Sequence, residues 1–183
     1  MFNLSKQHKS ILKLLLIILG LYILWHFVYI FWLIPGGKFD FWLTQKVTEN
    51  SISILNLFNN QYSIFVNPYG KCSILYQNLK VISVNHACNG QVLYPVFYAF
   101  IIATSGSWIN KIIYISVGSV IIYICNLLRV VTLVLIRLNF PQYLNFNHKY
   151  TFTIVVYSVI FLMWYLWVNK FSKLVILKNE QSK

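Results

Sequence analysis

Residues 11–34 read ILKLLLIILGLYILWHFVYIFWLI, and Lys13 is the only formal charge in the run. An α-helix rises about 1.5 Å per residue, so about 20 apolar residues cross the hydrocarbon core of a bilayer. This run is long enough, and Pro35-Gly36-Gly37 ends it. It is too long for the apolar region of a cleaved signal, and no small-residue cleavage site follows it, so it reads as a retained anchor. Span 1 is assigned to residues 12–34.

Three further runs share this character. VLYPVFYAFIIAT (92–104), extended backwards by Asn89-Gly90-Gln91, gives span 2 over 89–104. IIYISVGSVIIYICNLLRVVTLVLI gives span 3 over 112–136, and TFTIVVYSVIFLMWYLWV with Asn169 gives span 4 over 151–169. Trp25, Trp32, Trp164 and Trp167 lie toward span ends, where amphipathic rings anchor at the interface. The expected fold is therefore an all-α integral membrane protein of about four transmembrane helices, a single domain over 1–183. It carries a small external cap, 38–87, between spans 1 and 2. FWLTQKVTENSISILNLF places Leu43, Val47, Ile54 and Phe58 on one face, as an interfacial helix would. YSIFVNPYGKCSILYQNLKVISV then reads as short strands, with turns at Asn67–Gly70 and Gln77-Asn78.

Composition agrees. Of 183 residues, 58% are hydrophobic and only 10% charged, against about 25% charged in soluble domains. The mean hydropathy is +0.66. Lys and Arg number 15 against 3 acids, a net charge of +12. Because these cations flank apolar runs, they fit span orientation and anionic lipid better than nucleic acid, which is not expected as a partner. Lys6, Lys9 and Lys13 lie in the N-terminal flank and Lys111 in the short loop SGSWINK. Lys170, Lys173, Lys178 and Lys183 lie in the C-terminal tail. With four spans these segments share one side, and the positive-inside tendency makes it cytoplasmic, so the cap is external.

That topology carries chemistry to one face. Cys88 stands where the cap meets span 2. Arg129 lies roughly 27 Å along span 3 from Lys111, near the outer interface. His148 lies in the outer loop before span 4. A lone cysteine is more often a small buried hydrophobe, the reading for Cys72 and Cys125. No Cys pair has metal-type spacing, and with only Asp40, Glu49 and Glu180 as acids, carboxylate-based hydrolysis and carboxylate-rich metal sites are poorly supported. Arg137, two turns beyond Arg129, is the better candidate for snorkelling to head groups. Arg129 is then an intramembrane charge, with Asn126 on the same helix face as a hydrogen-bond partner. A nucleophilic thiol needs a neighbouring cation, a histidine can serve as general acid and base, and an arginine can stabilise an oxyanion. The set suits acyl transfer through a thioester. His86 rivals His148 as the base, because positions two apart on an extended strand point the same way.

ACNG around Cys88, the N-x-x-R of ICNLLRVV (Asn126, Arg129) and the histidine of FNHKYTFT (His148) together resemble the exosortase/archaeosortase family of membrane-embedded cysteine transpeptidases. The resemblance covers roughly residues 80–170. Two features depart from the family pattern: Asn89 follows the cysteine where many members have serine, and there are four spans where larger members have more. The resemblance implies a bacterial cytoplasmic-membrane enzyme with both termini cytoplasmic and its site on the external face. Its substrate would be an exported protein ending in a short motif, a hydrophobic span and a basic tail. Cys88 would attack, His148 would move protons and Arg129 would stabilise the oxyanion, with Asn126, Asn89 and His86 supporting. A glycolipid, a surface polymer amine or water would accept the product. No metal and no organic cofactor are implied. The competing readings are a non-catalytic membrane assembly factor for surface polysaccharide or secretion, and a membrane protease that cleaves without transfer.

Overall fold

The computed structural model describes residues 6–33, 37–67, 71–85 and 88–171. Helix α1 (Lys6–Val28) runs into a π-helical turn at Tyr29–Leu33, and α2 (Lys38–Asn56) follows. Three strands come next: β1 (Tyr62–Val66), β2 (Cys72–Tyr76) and β3 (Leu79–Val84). Then come α3 (Leu93–Ala103), α4 (Trp108–Asn139), a set of short helical turns over Pro141–Thr151, and α5 (Phe152–Phe171).

Three helical runs are long and apolar enough to cross a membrane: Leu12–Phe31, Trp108–Asn139 and Pro141–Phe171. They match expected spans 1, 3 and 4. The expected second span is different. Its helix has 11 residues, so it rises only about 16 Å against a core of about 30 Å. Gly90, at φ +79°, breaks the backbone before it. Pro95 falls in its first turn, where a missing N–H costs little. Thr104 is extended and ends it. The structure thus shows three long apolar helices and one short one, and does not confirm a fourth span.

The short helix and the turn before it lie antiparallel to the first half of α4. Ile102 meets Lys111, Tyr98 meets Ser119, and Cys88, just before the helix, meets Asn126. Phe100 stacks on Trp164 of α5 with centroids 4.5 Å apart, and the Tyr114 hydroxyl donates to the Met163 carbonyl at 2.6 Å. Around fully buried Phe97 and Trp167 the bundle core is dominated by aromatic rings. Gly118 allows this approach, because a Cβ there would overlap the Phe97 ring. Outward, Leu15, Leu16, Leu19, Leu24 and Phe27 of α1 are exposed, the surface of a helix solvated by lipid.

Beyond Asn126, α4 leaves this bundle core and enters a second, aliphatic one. Leu127, Val130, Val131 and Val134 pack with Val47 and Leu55 of α2 and with Ile74 and Val84 of the sheet. The sheet order is β1-β2-β3, antiparallel throughout, with Cys72 opposite Val84 and an irregularity at Ile74/Leu75. Gln77 and Asn78 both take positive φ, the conformation a two-residue hairpin turn requires. The turn expected at Asn67–Gly70 lies largely outside the described residues, although Asn67 N–H donates to the Lys71 carbonyl across it.

Helix α2 keeps the expected face only in part. Leu43 and Val47 are buried and Ile54 is half-buried, but Phe58 lies beyond the helix end and is 87% exposed. The buried face also takes Ile52 and Leu55, and beside them three polar residues, Thr44, Thr48 and Ser51, at 0%. Each hydroxyl donates at 2.7 Å to the carbonyl four residues earlier, which makes its burial tolerable.

Candidate active site

The chain enters the site from β3. Cys88 N–H donates to the Asn85 carbonyl at 2.8 Å, closing a tight turn. Asn89 is fully buried: its Oδ1 accepts the Gln91 N–H at 2.9 Å, while its Nδ2 donates to Asp40 Oδ1 at 3.4 Å and Thr44 Oγ1 at 3.3 Å. The other oxygen of Asp40 accepts the Tyr29 hydroxyl at 2.9 Å. One asparagine therefore fixes its own turn and ties it to α2, and through Asp40 to the end of α1. On the opposite flank, Asn126 Nδ2 donates to the Cys88 carbonyl at 3.0 Å. Gly90 completes the turn with its positive φ, and a Cβ added there would meet Asn126 Cγ at 3.2 Å.

Held this way, the half-buried Cys88 places Sγ 3.5 Å from Nε2 of exposed His148, 60 residues later in the chain. His148 occupies a π-helical turn, Asn147–Thr151, just outside the spanning helix α5. Such turns recur at functional sites because they re-aim a side chain. Burial and the neighbouring positive charge of Arg129 hold the imidazole pKa below its ordinary value. The neutral ring is thus favoured, and the standing positive charge of the site belongs to Arg129.

Arg129 itself is placed less simply. It lies one turn beyond Asn126 on α4, half-buried, with its Nε buried and unpartnered. The expected Asn126–Arg129 hydrogen bond does not form: Asn126 spends its amide on Cys88 and leaves Oδ1 unpartnered too. Arg129 lines a cavity of about 220 Å³ with Gly90 and Gln91, whose Nε2 is a third buried orphan. Cys88 and His148 instead line a larger cavity of about 430 Å³, which Arg137 also reaches. Sequence reasoning assigned Arg137 to the lipid surface and did not single out Gln91. His86 lies outside the described residues, so its rivalry with His148 is not resolved by geometry.

Asp40, counted in the sequence only as one of too few acids, is buried beneath the Cys88 turn. Its partner Asn89 is 49 residues away, so only tertiary structure reveals the pairing. Cys72 is fully buried in β2, where burial pushes its thiol pKa up, and half-buried Cys125 packs against the aromatic core. Among the described residues, no group of three or more His, Cys, Asp or Glu comes together as metal ligands would.

The arrangement offers a thiol beside a neutral imidazole, a turn pinned on both sides, and unpartnered donors one helical turn away. No curated protein and no protein of known structure matches the chain. A family model for the transmembrane exosortases does, over residues 6–167, nearly the whole length. This chain belongs to the transmembrane exosortase family.

Proposed function

We propose that the protein is a membrane-embedded cysteine peptidase and transpeptidase that processes the C-terminal sorting tail of exported proteins. The observation that carries this reading is the 3.5 Å approach of Cys88 Sγ to His148 Nε2 in a chain of this family. In the first half-reaction the thiol proton passes to His148 Nε2 as Sγ bonds to the scissile carbonyl carbon. The negative charge on the carbonyl oxygen is assigned to Arg129, which with Gln91 lines the smaller cavity on the far side of Gly90 from the thiol. The tetrahedral intermediate collapses, the C–N bond breaks, and the leaving amine takes the proton from His148. In the second half-reaction an acceptor amine or water attacks the thioester, gives its proton to His148, and the C–S bond breaks to restore the thiol.

Taking the short α3 with the turn before it as the fourth crossing, both termini share one side; the flanking lysines assign that side to the cytoplasm, and the Cys88 turn then faces outward across the bacterial cytoplasmic membrane. The acceptor belongs to the outer surface, as a glycolipid or polymer amine.

The test compares membrane and surface proteins of cells carrying the wild-type chain with cells carrying Cys88→Ala, by mass spectrometry of C-termini. Wild-type cells should show a class of exported proteins trimmed of an apolar, basic-ended tail. Turnover should fall more than about 10³-fold in Cys88→Ala and stay near normal in Cys72→Ala and Cys125→Ala. Trimming that survives Cys88→Ala removes the proposal in favour of a non-catalytic assembly role. Trimmed termini bearing no covalent acceptor convert it to a protease that cleaves only.

A further inference from the structure

The 430 Å³ cavity beside Cys88 has an unusual wall. Four consecutive β3 residues, Val81 to Val84, line it. Side chains of a strand alternate between its two faces, so a cavity against a face would meet every second residue. Pairing with β2 slips at Val81, which interrupts the alternation there, but Ile82, Ser83 and Val84 follow in regular register; three such consecutive residues on one wall are the edge of the strand, where the main chain itself is presented. The sheet order confirms that β3 is terminal, with β2 as its one neighbour. Among the described residues, no main-chain bond joins β3 to any other element.

The opposite edge of the same sheet is treated differently. Asn56 Nδ2 donates to the Tyr62 carbonyl and Asn56 Oδ1 accepts the Tyr62 N–H, both at 3.0 Å, so α2 caps the start of β1. Free strand edges invite pairing, and natural sheets usually cover them or blunt them with charge, proline or a bulge. In β3 the irregularity sits near its start, opposite Ile74/Leu75, where the lone charge Lys80 also lies; the end nearest Cys88 has no such device. The cavity volume lies within the roughly 300–1,000 Å³ typical of ligand sites. Its opposite wall, Val130, Leu133 and Leu144, is apolar, with Arg137 and Asn145 completing the lining. Three residues separate the end of β3 from Cys88, and Cys88 and His148 line the same cavity.

We propose that the segment of the exported substrate carrying the scissile bond binds extended along the free edge of β3, as a fourth strand of the sheet, and is led by it to Cys88. This rests on the function proposed above and names the recognition mode of its site. Main-chain pairing supplies affinity, and alternate substrate side chains enter the apolar pocket between β3 and α4. It also explains why a small sheet is built at the mouth of a helical bundle: the sheet supplies a template that a helix cannot, since a helix bonds its own main chain.

The test uses the full chain in lipid nanodiscs and a synthetic version of a tail identified by the Cys88→Ala comparison. Each residue of the tail's recognition segment is replaced in turn by its α-hydroxy analogue, which removes the N–H and keeps the side chain. Strand pairing spends the N–H groups of alternate residues on one neighbour. Esters at every second position should therefore lower kcat/KM by about five-fold each, with intervening positions near wild type. A second measurement locates the strand. Ser83→Cys in the Cys88→Ala background, offered single-cysteine tails, should form a disulfide at one tail position and, more weakly, two residues to either side. Cleavage of the unmodified tail without a two-residue alternation, or trapping spread evenly along the tail, overturns the docking mode alone. A mapped tail that the purified wild-type chain never cleaves overturns the function and the docking together.

Discussion

The two ends of the helical bundle are built from the same kinds of residue and finished in opposite ways. At the end away from Cys88 most polar groups are closed off, with Trp164 Nε1, beside Phe100, the exception. Trp167 Nε1 donates to Thr104 Oγ1 at 2.7 Å, Thr104 in turn donates to the Ile101 carbonyl, and Lys111, only 5% exposed, caps the Ile102 carbonyl at 2.8 Å. At the Cys88 end, three of the four buried orphan atoms found among the described residues collect: Gln91 Nε2, Asn126 Oδ1 and Arg129 Nε. A buried polar atom left without a partner costs about 1–3 kcal/mol, so a structure does not gather three of them for stability. The closed end holds the helices together; the open end keeps two donors, Gln91 Nε2 and Arg129 Nε, and one acceptor, Asn126 Oδ1, in reserve for something that arrives.

The contrast can be tested from its strongest consequence downward. Arg129→Lys keeps the charge and loses the planar fork, and should cost about 10²-fold in kcat while expression and thermal stability hold. Near-normal turnover would make Arg129 part of the scaffold and merge the two ends. Gly90→Ala forces a side chain into positive φ and against Asn126. Turnover should fall about ten-fold through a displaced Cys88 turn, and Gly90→Asn, which tolerates that φ better, should lose less than Gly90→Val.

The protonation of His148 gives a subtler effect. Burial and Arg129 both disfavour its cation, so the neutral base survives to lower pH than usual. Turnover that needs the neutral ring is kept down to the lowered pKa and lost beneath it, placing the acid limb below about pH 6.5. Residual turnover in Arg129→Met should show that limb moved upward, and an unmoved limb would separate the two residues. Smallest for catalysis is Trp167→Phe at the closed end. It should lower stability by about 1–2 kcal/mol, read as a drop in melting temperature, with kcat within two-fold. A selective loss of kcat there would erase the distinction between the ends.

The long spans were legible because 20-residue apolar runs have few alternatives in a chain this poor in charge. The second span, expected over 89–104, is helical only over Leu93–Ala103, because hydropathy counts residues and does not register that Gly90 spends the preceding positions on a turn. Phe58 fits the helical period on paper but falls after the helix has ended at Asn56. The burial of Thr44, Thr48 and Ser51 was not read from the sequence, since a hydroxyl bonded to its own helix is invisible in a hydropathy pattern. Cys88, Arg129 and His148 could be sent to one membrane face by topology alone. Which pairs touch, and that Arg129 and Cys88 line different cavities, depend on side-chain direction and could not be read from spacing.

The Cys88–His148 contact also carries a consequence for the order in which the chain is made. The two residues are 60 positions apart, and synthesis proceeds at about 5–20 residues per second. The thiol therefore emerges roughly 3–12 s before the imidazole does, and it gains that partner only after the last helix has begun to insert. Under the proposed chemistry a nascent or truncated chain is unarmed. Completion of the fold is itself the activation step, and no separate inhibitor is needed while the protein enters the membrane.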